Sequence, residues 1–225
     1  MTTPEISARR IGKEGQPIAI IDGFHPDPEA LRTHATTAPF EPGRHHYPGL
    51  RATLPGDYFT AVRPALTRAL AGVFEHEGAL SLLDASYALV TTPPERLTLP
   101  QRLPHVDAID PGRIALVHYL DPAGRDGTGF YRHRSTGFER LDRQRAPIYF
   151  DQLDAELRHG GLPAPAYING STPLFEQIAL VEARYNRAVL YRSALLHSGA
   201  IAPDAMLSDD PSRGRLTVTA FLAPG

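Results

Sequence analysis

The sequence predicts an α+β domain built on antiparallel strands. Helical patterns occupy its first third, strand patterns fill most of the rest, and no regular alternation of strand and helix suggests parallel βαβ units. The 225 residues suit one domain or at most two small ones. A chain of that size hides roughly 70% of its unfolded surface, enough for a core without staples. Residues 1–16 read as a flexible N-terminus and 17–225 as a single domain.

Pro17 to Asp22 is a short apolar run closed by Gly23, a strand signal. Asp27-Pro28-Glu29 opens a helix to about Thr36, with proline just inside its start. Arg44 to Pro55, rich in Gly, Pro and His, reads as loop. Phe59, Val62, Leu66, Leu70, Val73 and Phe74 share one helical face, so about Asp57 to Glu75 forms an amphipathic helix that Pro64 should kink or divide. Strands are predicted over Ser81–Val90, Arg113–Leu120 and Gly129–His133, and a helix over Ile148–His159. Gln177–Ala183 and Ala188–His197 form two more strands, joined by a turn centred on Asn186. Arg215–Leu222 is the last.

Composition removes several function classes. The absence of cysteine excludes disulfides, thiol nucleophiles and cysteine-bound zinc, leaving His, Asp and Glu as the strong metal ligands. A net charge of −2 is no footprint for nucleic acid. Of 23 basic residues only Lys13 is lysine, which genome composition explains as readily as function. No apolar run could span a bilayer, and Met1 to Gly15 lacks the apolar stretch of a signal peptide. A cytoplasmic protein is expected, without membrane or nucleic-acid partners; a homodimer stays open. There is no Walker loop, nucleophile elbow, zincin helix or dinucleotide fingerprint.

What remains is Pro104-His105-Val106-Asp107. In a strand, residues i and i+2 face the same side, so His105 and Asp107 can present an imidazole and a carboxylate to one point. A third ligand would complete the facial triad of non-haem Fe(II), and His197, near the end of an apolar run, is the candidate. Taken singly, the pair also fits a surface loop and His197 a structural histidine. In the last strand Arg215, Thr217, Thr219 and Phe221 share one face, and Leu216, Val218, Ala220 and Leu222 the other. Such a strand lines a polar cavity, where arginine offers a carboxylate a bidentate fork, or else it is an edge strand with a solvated face. Arg213 lies on the same face and is the rival carboxylate binder. His118 points away from Tyr119, while His133, His45 and His46 are expected in or beside loops at the surface.

In this order, His105-Val106-Asp107, Arg113, Tyr119-Leu120-Asp121, Gly127-Thr128-Gly129-Phe130, His197 and Arg215-Leu216-Thr217 resemble the Fe(II)/2-oxoglutarate dioxygenases, most closely the prolyl-hydroxylase-like branch, from about Pro104 to Leu222. The resemblance implies a double-stranded β-helix (jelly-roll) core with N-terminal helices packed on one sheet. It implies His105, Asp107 and His197 as iron ligands. Arg215 and Tyr119 would grip the far carboxylate of the 2-oxoglutarate cosubstrate, with Thr217 beside them. Hydroxylation of a C–H bond, in a small-molecule or peptide substrate that the many loop arginines suggest is anionic, is the implied reaction. Asp126-Gly127 replaces the family's paired glycines, the stretch from His197 to Arg215 is long, and about Arg134 to Thr172 is an insertion. Two alternatives stand beside this: a non-catalytic jelly-roll binding module, and a cupin-like metalloenzyme that does not use 2-oxoglutarate.

Overall fold

The computed structural model describes residues 3–44 and 46–224; His45 lies outside them. Eleven strands and three α-helices are assigned among these residues. Strand β1 (Glu5–Ile11) forms a hairpin with β2 (Gln16–Asp22), so most of the segment expected to be flexible is paired backbone. Its polar side chains gave no strand signal because six of its seven residues lie outside the buried core. Helix α1 (Pro28–Thr37) begins where predicted, with the Asp27 carboxylate accepting from the Ala30 amide. The region expected to be loop contains β4 (Gly49–Ala52), which pairs with β5 (Leu80–Val90) and carries the two-residue β3 (Glu41–Pro42) on its other edge. Helix α2 (Tyr58–Phe74) runs unbroken through Pro64 and ends at Glu75 in the left-handed region.

Strands β6 (Ile114–Tyr119), β7 (Gly127–His133) and β8 (Phe175–Glu182) follow, with α3 (Arg145–Gly160) between β7 and β8. The predicted strand Ala188–His197 is two strands, β9 (Arg187–Arg192) and β10 (His197–Gly199). A turn at Ser193 carries the chain from one sheet to the other, with Leu195 N–H donating to Arg192 C=O. The apolar run hides this crossing because the chain stays buried on both sides of it. β11 (Leu216–Pro224) closes the fold.

The large sheet has the order β1-β2-β9-β6-β11-β5-β4-β3 and the small one β10-β7-β8. His105 adds a fourth edge to the small sheet through an antiparallel bridge to His197. From β5 onward the chain visits large, small, large, small, small, large, small and large sheet. All the pairings are antiparallel, which makes this a double-stranded β-helix.

Period-two alternation sorts the side chains. Leu216, Val218, Ala220 and Leu222 of β11 join Leu116, Leu190 and Leu89 in a cluster with Leu31 of α1 and Val62, Leu66 and Leu70 of α2. Burying one such side chain fully is worth roughly 1.5–3 kcal/mol. The opposite face meets the small sheet in a second cluster holding Tyr119, Val189, Tyr191, Phe130 and Val181. The insertion covers the small sheet's outer face: Tyr149 and Leu153 of α3 pack with Tyr131, Phe175 and Leu196. His133, expected near the surface, is fully buried there, its Nε2 2.8 Å from Glu156 and its Nδ1 3.0 Å from Thr136. The inserted helix is what removes it from solvent.

Asn186 locks the N-terminal segment to the barrel. It has φ 59°, a conformation asparagine tolerates better than most residues. Its side chain accepts from His25 N–H and donates to His25 C=O, each at 2.9 Å. The same oxygen accepts from His118 Nε2 at 3.0 Å, which leaves His118 Nδ1 to accept from the Tyr58 hydroxyl at 3.1 Å. His118 thus faces the helices, opposite to Tyr119 as predicted, and desolvation holds its pKa down at about 3.

Two outcomes follow from this cluster. Asn186→Gly keeps the backbone conformation but removes the clamp, and should cost about 1–3 kcal/mol in chemical denaturation. His118 is neutral when folded and has an ordinary pKa when unfolded, so protons favour the unfolded chain. Its stabilising effect is complete above about pH 6.5 and is lost as pH falls towards 3. In His118→Gln, the slope of unfolding free energy between pH 6.5 and 4.5 should fall by up to about 1.4 kcal/mol per pH unit; an unchanged slope removes His118 as its source.

Candidate metal centre

His105 and Asp107 owe their placement to alternation along a short extended segment. His105 exchanges two backbone hydrogen bonds of 2.9 Å with His197, and Asp107 N–H donates to Ser193 C=O at 2.9 Å. Val106, between them, packs outward against the cluster under α3, so its neighbours turn inward. In the same way Leu196 faces outward and His197 inward. One potential ligand atom from each of His105, Asp107 and His197 lies within 4.8 Å of the others.

Asp107 Oδ1 is 3.7 Å from His105 Nε2, and Oδ2 is 3.4 Å from His197 Nε2. The His197 Nδ1 sits 2.9 Å from the Leu195 carbonyl. A carbonyl only accepts, so Nδ1 carries a proton, and the ring turns its Nε2 towards the carboxylate. Burial first, and the His197 ring second, push His105 below its ordinary pKa, with Asp107 opposing. The His105 side chain is 53% exposed, and the lowered pKa favours a neutral ring. Asp107 Oδ2 is buried and has no hydrogen-bond partner. Arg113 forms no ion pair with it; the basic side chains within 4.0 Å of Asp107 are the two histidines alone, among the described residues. Lone pairs of two imidazoles and a carboxylate converging on a shielded point suit a cation, and the open His105 side gives access to it.

The second predicted set lies deeper in the barrel. Thr217 pairs with Tyr119 on one side and Ala88 on the other. The Tyr119 hydroxyl is 2.6 Å from Thr128 Oγ1, and burial raises its pKa, keeping it protonated. Thr217 Oγ1 donates to Ala88 C=O at 3.3 Å. Arg215 is 8% exposed and donates to Gly127 C=O at 2.9 Å, while Arg213 is exposed in the preceding turn. Of the two rivals, Arg215 is the one inside. Asp126, standing where the resemblance expects glycine, has φ 70° and brings Oδ2 to 3.7 Å from Arg215 Nε, an atom with no hydrogen-bond partner.

Sequence reasoning gave no site role to two further inner-face arginines. Arg51 of β4 donates to Ser86 Oγ at 2.8 Å and Thr219 Oγ1 at 2.9 Å. Its guanidinium lies 4.3 Å from the centre of the Tyr47 ring. Arg113 lies 4.5 Å over Phe221. The signal for Arg113 was its parity with Ala115 and Tyr119; Arg51 gave none while its segment read as loop. A surface cleft of about 390 Å³ lined by Gln16, Pro111, Gly112, Arg140, Arg192 and Ala194 contains none of the converging groups, and the chemistry points to the barrel interior instead.

A family model described as a family of unknown function, DUF6445, matches residues 2–222. The chain belongs to that family. No curated protein matches this DUF6445 sequence. Among solved structures, HygX from Streptomyces hygroscopicus, with nickel, 2-oxoglutarate and hygromycin B bound, is 17% identical at a TM-score of 0.48, over 94% of this chain and 84% of that one. AviO1 from Streptomyces viridochromogenes Tue57 is 13% identical at 0.48, over 98% and 89%. An N-substituted L-amino acid dioxygenase from Burkholderia ambifaria AMMD is 10% identical at 0.48, over 99% and 96%. Likeness this distant assigns no residue role to the DUF6445 chain.

The orphaned carboxylate yields a direct test. In metal-free protein, Asp107→Asn should leave the melting temperature unchanged or raise it, because an amide can donate to a facing imidazole and no arginine loses a partner. A large loss of metal-free stability would instead mark Asp107 as one half of a structural ion pair.

Proposed function

We propose that this protein is an Fe(II)- and 2-oxoglutarate-dependent oxygenase of the prolyl-hydroxylase-like kind, which hydroxylates a C–H bond of a small molecule or a protein side chain. The observation that carries the reading is Asp107 Oδ2, buried without a donor and facing His197 Nε2 at 3.4 Å. Its support is the buried arginine further along the same barrel wall. His105, Asp107 and His197 would hold the iron. When bound, the metal lets dioxygen oxidise cosubstrate and substrate together, giving succinate, carbon dioxide and the hydroxylated product.

The chain's own part is positioning. The Leu195 carbonyl fixes the His197 ring and keeps its proton away from the metal side. Arg215 would take the distal carboxylate of 2-oxoglutarate, with the protonated Tyr119 hydroxyl and Thr217 at its flank. The apolar neighbours Phe130, paired with His197, and Tyr191, against its ring, thin out water at the reacting end, which strengthens these contacts. One observation favours a second reading, a cupin-like metalloenzyme without 2-oxoglutarate: Asp126 already stands beside Arg215 and offsets part of its charge.

Anaerobically purified protein given Fe(II), 2-oxoglutarate and ascorbate, then air, should form succinate even without substrate. His197→Ala should abolish stoichiometric metal binding with the fold retained. Arg215→Ala should weaken 2-oxoglutarate binding at least about tenfold, equivalent to about 1.4 kcal/mol, and Arg213→Ala should do little. Tight metal binding with no succinate and no 2-oxoglutarate affinity would favour the second reading.

A further inference from the structure

Building on that reading, we propose that the substrate presents a carboxylate to a pair of arginines, Arg113 and Arg51, beside the triad. The register of the large sheet places them. Phe221 pairs with Ala115, and Ala115 with Tyr191; the Tyr191 ring lies 4.7 Å from the His197 ring. That row therefore underlies the triad. Arg113 stands one step beyond it: its carbonyl accepts from Ser193 N–H, and Ser193 C=O accepts from Asp107 N–H. Its guanidinium is folded back over Phe221. Arg51 reaches Thr219, two residues before Phe221 on the same face of β11, so the two contact points are about 7 Å apart. Arg215 is two residues further from the triad row than Thr217, at the opposite end of this face.

Charge balance separates these arginines from Arg215. Arg215 has Asp126 beside it. Arg51 is held only by hydroxyls and the Tyr47 ring. Arg113 has a buried Nε with no acceptor, and neither has a carboxylate within 4.0 Å among the described residues. Asp84, the cross-strand partner of Phe221, is exposed at the rim and pairs with neither. Among the described residues, the buried side-chain polar atoms without partners are Asp107 Oδ2, Arg113 Nε, Ser193 Oγ and Arg215 Nε. A cation answers the first and a cosubstrate carboxylate the last. Arg113 calls for a second anion, held between Phe221 and Thr219, where the two guanidinium groups lie.

Calorimetric titration of the full chain loaded with zinc and 2-oxoglutarate tests this, using benzoate and hexanoate against benzamide and hexanamide. Each acid should bind at least about tenfold tighter than its amide, as a charge-assisted pair requires. Arg113→Met should erase that preference and Arg51→Met reduce it, while 2-oxoglutarate affinity changes less than twofold in both. Arg113→Lys, which keeps the charge, should retain part of the preference. Equal binding of acid and amide by the wild type, or a preference surviving in both methionine variants, overturns the proposal and leaves these arginines as structural braces. Loss of 2-oxoglutarate binding in Arg51→Met with the acid preference intact overturns it too. Titrating 2-oxoglutarate itself into the zinc-loaded wild type separates the two readings: acid preference without 2-oxoglutarate binding sinks the oxygenase and keeps the anion site.

Discussion

Every central strand of the large sheet is covered on both faces, by α1 and α2 on one side and by the small sheet on the other. This double burial constrains all the rest. A strand with helices behind it must be apolar there, so Leu216, Val218, Ala220 and Leu222 are fixed by packing. Its other face looks into the barrel, where Arg215 and Thr217 are buried and Thr219 is half-buried. Polar groups in such a place need partners, and β11 finds them in Gly127 C=O, Ala88 C=O and the Arg51 guanidinium.

Where partners are missing, the shortage is local. Among the described residues, the buried side-chain atoms left without hydrogen bonds belong to Asp107, Arg113, Ser193 and Arg215, three of these residues joined by consecutive backbone hydrogen bonds around Ser193. Elsewhere the same chain pairs its buried charge thoroughly. Glu139 accepts from Arg132 and from the Lys13 and Glu14 amides, which ties the N-terminal hairpin to the insertion. Arg187 makes a two-pronged pair with Asp22. The contrast between those satisfied networks and the unsatisfied barrel interior is what marks the interior as a place for ligands.

The insertion between β7 and β8 acts on the small sheet's far side. By burying Tyr131, Phe175 and Leu196, α3 stiffens the strands that carry His197 without touching the side where His197 points. Alternation lets one element stabilise a strand from behind while its front stays open. The exposed side of His105 leaves the cluster open to solvent from that direction.

Much of this was legible in the chain alone. The apolar period of β11 and α2, the helix start at Asp27-Pro28 and the Asn186 turn are local signals, encoded within a few residues, and so they read correctly. Spacing also placed His105 beside Asp107, since two residues along an extended segment share a side whatever the fold. Segments whose structure comes from neighbours read badly. β1 and β4 are strands because β2 and β5 offer them hydrogen bonds, not because their residues alternate. The break between β9 and β10 is invisible in an apolar run, because burial continues while the sheet changes. His133 looked like a surface histidine until an inserted helix covered it. The sequence by itself determined which side chains share a face. Tertiary structure decided which faces meet, and with that the approach of His197 to Asp107, the neutralisation of Arg215 by Asp126 and the isolation of Arg113. Those are contacts across sheets, and no local pattern encodes them.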